Sequence, residues 1–348
     1  MQELLDHLSQ KLSARSFHWK EGDHEVRMDA ASLVPIPFAF SLPVPPSSSS
    51  FPCSRMLFVD GGEGVLFQSA GLLLFKLSVA GVLFDDVKKE KVDVLQWSCS
   101  YSRKGLRTTP ELASEIAAAF QKHVAHAGHA ASYDAHIPHD AHIPFEQIPG
   151  ILRKMLEAWH TRAWAREWRA HIAVVDGLLQ VKDSPADSAD SFVSALYHAI
   201  PALLGVAKSS SLVTQEDVCV TAALRSVAQA PSFIPLKRQG QSATLVALLH
   251  PKARLAFVIE AQGLDLKVDL EGKAGNALGE ALSMLASLCV DVSFLGYPYP
   301  LVLADQLARI SKEEVQAAKL RIIATLCGNA GMELDAGSAH ATLDTMRF

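Results

Sequence analysis

The sequence predicts an α/β fold in which a mixed sheet is flanked by helices, with an N-terminal helical appendage. Two observations predict it. Apolar runs of strand length bounded by turn residues are interleaved with longer stretches of helical periodicity. The two kinds of segment are not sorted into separate halves of the chain, which favours one α/β domain over two domains of different class.

Length and composition permit this reading without forcing it. The 348 residues could fill two average domains or one enlarged domain. With 49% hydrophobic and 20% charged residues the chain can bury a sizeable core and is not broadly disordered. A net charge of −5 offers no global attraction to nucleic acid, so any such contact must come from local basic patches. Cys53, Cys99, Cys219, Cys289 and Cys327 are odd in number and contain no C-x-x-C pair. That suits buried thiols in a reducing cytoplasm better than a disulfide frame or a zinc site. The N-terminus has no apolar core of an export signal. The apolar run 65–84 is long enough to span a bilayer, but Gln68, Lys76 and two glycines interrupt it. A turn near Ser69-Ala70-Gly71 would split it into two strands.

In chain order, residues 1–30 read as a helix with a charged tail, and 34–54 as a Pro/Ser-rich connector; residues 1–50 thus stand before a main domain at 51–330, with a tail at 331–348. Met56-Leu57-Phe58-Val59 reads as a strand ending in Asp60-Gly61-Gly62. Segments 65–68, 72–84 and 92–99 continue the sheet. Residues 109–126 read as a helix capped by Thr108 or Thr109. The His-rich passage after it reads as a surface loop. Residues 148–168 form a long helical candidate that leads directly into the strand His171-Ile172-Ala173-Val174-Val175-Asp176-Gly177. Beyond it, 188–204 read as helix, 218–228 and 242–270 as strand-rich, and 275–288 and 302–327 as helical.

The chemistry-bearing pattern is the repeated apolar strand, aspartate and glycine at Asp60-Gly61 and Asp176-Gly177. An aspartate at a strand end projects a short carboxylate, and the glycine permits close approach of backbone or substrate. Two such carboxylates on neighbouring strands can hold Mg²⁺ or Mn²⁺, which prefer oxygen ligands and keep positions open for phosphate and water. A third carboxylate would come from the preceding helix, with Glu157 the first candidate and Glu167 the second. A further string, Gly296-Tyr297-Pro298-Tyr299-Pro300-Leu301-Val302-Leu303-Ala304-Asp305, reads as a stiff turn that starts a helix.

Together, the VDGG strand, the VVDG strand behind its helix, the stretch Gly205-Val206-Ala207-Lys208-Ser209-Ser210 and the GYPYPL-x-x-AD string resemble the NurA nuclease family, in its order, over about residues 55–311. The resemblance implies an RNase H-like fold and Mn²⁺- or Mg²⁺-dependent DNA cleavage, 5′ to 3′ on ends and endonucleolytic on single strands. It implies action on single- and double-stranded DNA ends, in end resection and double-strand break repair. It further implies a homodimer and a HerA-type hexameric ATPase as translocase partner. Carried over by residue, Asp60 and Asp176 match the metal-binding aspartates, Glu157 the helical glutamate and Lys208 a lysine near the scissile phosphate. Tyr299 and Asp305 fall in the C-terminal motif. Relatives often carry histidine at the 305 position, so an aspartate there keeps a ligand but changes its charge.

Basic clusters at 88–91, 103–107, 162–169 and 237–238 are candidates for tracking a phosphate backbone, with Arg162 and Arg166 beside Trp164 and Trp168 as DNA-binding candidates. His123, His126, His129, His136, His139 and His142 raise a zinc alternative, weakened by prolines and the lack of a nearby cysteine. No G-x-S-x-G, P-loop or G-x-G-x-x-G is present. The competing function is non-catalytic: a NurA-like DNA-end clamp or translocase adaptor, in repair or in defence against foreign DNA.

Overall fold

The computed structural model describes residues 17–21, 24–28, 36–37, 54–69, 71–102, 104–130, 144–179, 189–208, 220–227, 231–239, 242–253, 255–264 and 277–328. Long apolar segments dominate the first half. Arg55–Gln68, Leu72–Asp85, Lys88–Ser102 and Gly105–Thr109 form an antiparallel meander, β4 to β7. The apolar run 65–84 is indeed divided: β4 ends at Gln68, β5 begins at Leu72, and the Ser69 N–H donates to the Leu72 carbonyl at 2.9 Å. No helix among the described residues is long and apolar enough to cross a membrane.

On the other side of β4 the sheet changes character. β8 (Ile172–Asp176) pairs with β4 in parallel, and β9 (Leu203–Ala207) continues in parallel with β8. β12 (Phe257–Gln262), β11 (Ser242–Leu248) and β10 (Ser232–Gln239) then add antiparallel strands. A two-residue edge strand, β3 (Ile36–Pro37), closes the order β3-β10-β11-β12-β9-β8-β4-β5-β6-β7. A proline is tolerated at such an edge because no further strand requires its missing N–H.

The alternation of β4 and β8 assigns each face. Met56, Phe58, Ile172 and Val174 join a core with α5 (Ala277–Ser287) and α6 (Tyr299–Ala308). Leu57, Val59, Ala173 and Val175 join a second core with Leu152, Met155 and Leu156 of α2 (Gln147–Glu167). The remaining α-helices among the described residues are α1 (Ser114–Ala130), α3 (Ala189–His198), α4 (Val220–Val227) and α7 (Lys312–Gly328).

Several local expectations change. β1 (Phe17–Glu21) and β2 (His24–Met28) are paired antiparallel strands rather than helix, following the period-two placement of Phe17, Trp19, Val26 and Met28. Residues 1–16 and 329–348 lie outside the described residues. The segment 188–204 is helical only to His198 and then becomes strand at Leu203, with Pro201 between them. Val220–Val227 is helix where strand was expected; short apolar runs are ambiguous in period, and its buried Leu224 joins a core with Val246 and Leu248. Thr108 and Thr109 belong to β7, paired with Cys99 and Ser98, and α1 starts at Ser114.

The most consequential change is in β4. The strand does not end at Asp60-Gly61-Gly62 but runs on to Gln68, because these glycines are seats for helices rather than turn residues. A Cβ on Gly62 would lie 2.2 Å from the Ala308 carbonyl oxygen at the end of α6, and one on Gly64 would press on Val315 and Ile310. Gly62→Ala is therefore expected to destabilise the fold by about 1–3 kcal/mol, read as a lower urea midpoint at unchanged slope.

Candidate active site

Parallel pairing of Val59 with Val175 places the next residues, Asp60 and Asp176, side by side on the α6 face. Asp176 is the last residue of β8, and Gly177 turns the chain away at φ +103°, donating its N–H to Val206. From Asp60 onward β4 has no further pairing with β8. Asp60 is only 7% exposed, and its carboxylate accepts from the Gly61 N–H at 2.8 Å. Burial, then the charges of Glu157 and Asp176, push its carboxyl up to about 7.

Glu157 comes from the opposite face. It lies over Gly61, where an added Cβ would stand 2.3 Å from its Oε1. Arg153, one helical turn earlier, donates through Nη1 to Glu157 and through Nε to Glu63 at 3.2 Å. Burial raises the Glu157 carboxyl, and Arg153 opposes that rise.

The α6 face adds Tyr297, whose hydroxyl donates to Asp176 Oδ1 at 3.2 Å. Burial and the surrounding carboxylates, Asp176 first, push its phenol well upward, so it remains a protonated donor. Lys208, directly after β9, donates to Asp176 Oδ2 at 2.6 Å, and its ammonium stands 5.2 Å from the Tyr297 ring centroid. Asp305 contributes to the field on Tyr297 and is bonded to Arg309 Nη2 at 2.8 Å.

The fold thus sets Asp60 beside Asp176, Lys208 against Asp176 and Glu157 over Gly61 on the other face, with Asp305 on the α6 side bonded to Arg309. Tyr297 joins them although the sequence reading selected Tyr299, which begins α6 and is 39% exposed. The overlooked signal is Gly296, whose φ of +92° turns the chain just before Tyr297. Glu167 is instead at the far end of α2, bonded to Lys91. Arg162 and Arg166 are exposed further along α2; Arg162 is about 140° around the helix from Glu157 and Arg166 about 13 Å beyond it. Trp164 and Trp168 are not available to stack on bases. Both are 3% exposed and stacked on each other at 5.2 Å, with Trp164 seated on Gly81. His136, His139 and His142 lie outside the described residues, while His123, His126 and His129 fall on α1.

Among the described residues, no group of three or more His, Cys, Asp and Glu side chains is arranged to hold a metal ion. The donor chemistry nevertheless suits a hard divalent cation: two aspartates share one point, and no lysine or arginine among the described residues is paired with Asp60. Three other acids, Asp176, Glu157 and Asp305, each hold a basic partner.

Among solved structures, the chain is similar to the NurA nuclease from Sulfolobus solfataricus, with a TM-score of 0.53 over 95% of this chain and 96% of that one. The fold is NurA-like. Sequence identity is 13%, so the likeness concerns the fold alone. Endonuclease V from Ciona intestinalis bound to inosine-containing DNA (TM-score 0.37, 12% identity, 76% of this chain and 87% of that one) and human endonuclease V (0.36, 12%, 91% and 99%) are looser matches. No protein-family model and no curated protein matches the sequence.

The Asp60 environment carries a stability consequence. Its carboxyl moves from the ordinary 3.8 to about 7, so between those values the folded chain binds more protons than the unfolded chain and stability falls as pH rises. Below 3.8 the burden vanishes; above 7 it is complete. Asp60→Asn in EDTA is expected to raise stability at pH 8, by at most about 4 kcal/mol, with the gain shrinking toward pH 4 in thermal melts.

Proposed function

We propose that this chain is a metal-dependent DNA nuclease. The observation that carries the reading is the pair Asp60 and Asp176, set side by side by the β4–β8 register within a NurA-like fold. Asp60 and Asp176 would hold Mn²⁺ or Mg²⁺, with Glu157 and Asp305 as further carboxylates. Such a cation supplies positive charge to a phosphodiester and acidifies water.

The chain's own groups divide the remaining work. Tyr297 holds one oxygen of Asp176 by its hydroxyl, and Lys208 holds the other, so the carboxylate has a defined orientation. The Lys208 side chain is 49% exposed, and its ammonium can turn from Asp176 to a phosphate oxygen and stabilise negative charge as it develops. Arg162, Arg166 and Tyr299 are exposed candidates for holding DNA away from the reacting phosphate. The reading extends to 5′ to 3′ trimming and single-strand endonuclease action, as a homodimer with a HerA-type translocase, in end resection and double-strand break repair.

The deciding experiment is cleavage of end-labelled single- and double-stranded DNA by wild type, Asp60→Ala and Asp176→Ala with Mn²⁺, Mg²⁺ or EDTA. Cleavage is expected with metal and lost in both variants. A folded wild type that cuts nothing, even with its translocase, would replace the nuclease by a DNA-end clamp or translocase adaptor, in repair or in defence against foreign DNA. Lys208→Ala is expected to lower kcat by about 10²–10³-fold with little change in Tm, because its ion pair is substantially exposed. Mn²⁺ should raise the Tm of wild type at pH 8 and leave that of Asp60→Asn unchanged.

A further inference from the structure

Gly61 faces α2, whereas Asp60 faces α6, so Glu157 must reach the aspartates from across the sheet. Its carboxylate lies over Gly61, where β4 has lost its pairing with β8 and where residue 61 offers no side chain to obstruct it. A glutamate on a long helix has three side-chain torsions, so position on α2 alone does not aim its carboxylate.

Arg153 supplies the missing restraint. Its Nη1 contacts Glu157 and also the Gly61 carbonyl oxygen at 3.5 Å, while its Nε is held by Glu63 Oε2 at 3.2 Å. Glu63 is on β4, two residues beyond Gly61 and on the same face, and its carboxylate lies beside Gly150 in the first turn of α2. That end of the helix favours negative charge. The guanidinium is a planar fork, so fixing two of its edges fixes the direction of its third contact.

We propose that Glu63 and Arg153 are positioning residues that aim Glu157 through the gap at Gly61 toward the divalent cation held by Asp60 and Asp176. This rests on the metal-dependent nuclease reading. Glu63 itself stays outside the reaction: its side chain is 39% exposed and its bonded partner is Arg153, which stands between it and Glu157. Removing its charge leaves every candidate metal ligand in the chain but releases the guanidinium that orients one of them.

The test uses full-length wild type, Glu63→Gln, Glu157→Gln and the double variant. Calorimetric titration with Mn²⁺ alone is paired with DNA-cleavage kinetics, and melts in EDTA check that each variant folds. Glu63→Gln is expected to weaken Mn²⁺ binding by about 10- to 100-fold and to lower kcat with KM for DNA little changed. In the double variant the Glu63 change should add nothing to the Glu157→Gln loss. Arg153→Lys, which keeps the charge but not the fork, should reproduce the Glu63→Gln defect. Wild-type-like Mn²⁺ binding by Glu63→Gln, or a full additive loss in the double variant, overturns the proposal. Wild type that binds Mn²⁺ without cutting DNA refutes the nuclease reading while the binding comparison still decides the role of Glu63; wild type that binds no Mn²⁺ refutes both.

Discussion

Parallel pairing between β4 and β8 is the constraint from which the candidate active site follows. Val59 opposite Val175 puts Asp60 and Asp176 on one face, and a shift of one residue would send one carboxylate into the apolar core under α2. The register is held by burial on both sides: Met56, Phe58, Ile172 and Val174 face one core, and Leu57, Val59, Ala173 and Val175 the other. β8 then stops at Asp176 while β4 continues, so a strand edge becomes available at the same point where the two acids meet.

The continuation of β4 also explains the spacing of its glycines. Gly61 admits Glu157 on one face, and Gly62 admits the end of α6 on the other. A single short string therefore brings α2 and α6 within reach of the same carboxylates from opposite sides. Close approach of backbone to backbone leaves little freedom to absorb even one methyl group.

Electrostatics distinguish Asp60 from its neighbours. Asp176 has Lys208, Glu157 has Arg153 and Asp305 has Arg309, while Asp60 has the Gly61 N–H and two nearby like charges. Burial adds to those charges in raising its carboxyl, and the Gly61 N–H and the charge of Lys208 act against the rise. Asp305, further along α6, engages Arg309.

Local sequence by itself determined the class of fold, the split of the 65–84 run, the long helix α2, and the two aspartates, because apolar period and strand-plus-Asp-Gly endings are written in adjacent residues. Glu157 was the first candidate for a third carboxylate and Lys208 followed from the family resemblance; the structure sets Lys208 against Asp176 and Glu157 over Gly61. Local sequence did not reveal that β4 passes through Asp60-Gly61-Gly62, because a glycine in a turn and a glycine beneath a helix look alike until the helix is in place. Nor could it choose Tyr297 over Tyr299: only the turn at Gly296 and the position of Asp176, 121 residues away, decide which phenol points inward. Trp164 and Trp168, beside the arginines singled out in the sequence, are packed against each other, with Trp164 on Gly81. Tertiary structure decided these matters because each depends on a surface supplied by a distant segment, whereas periodicity records only which side of an element is apolar.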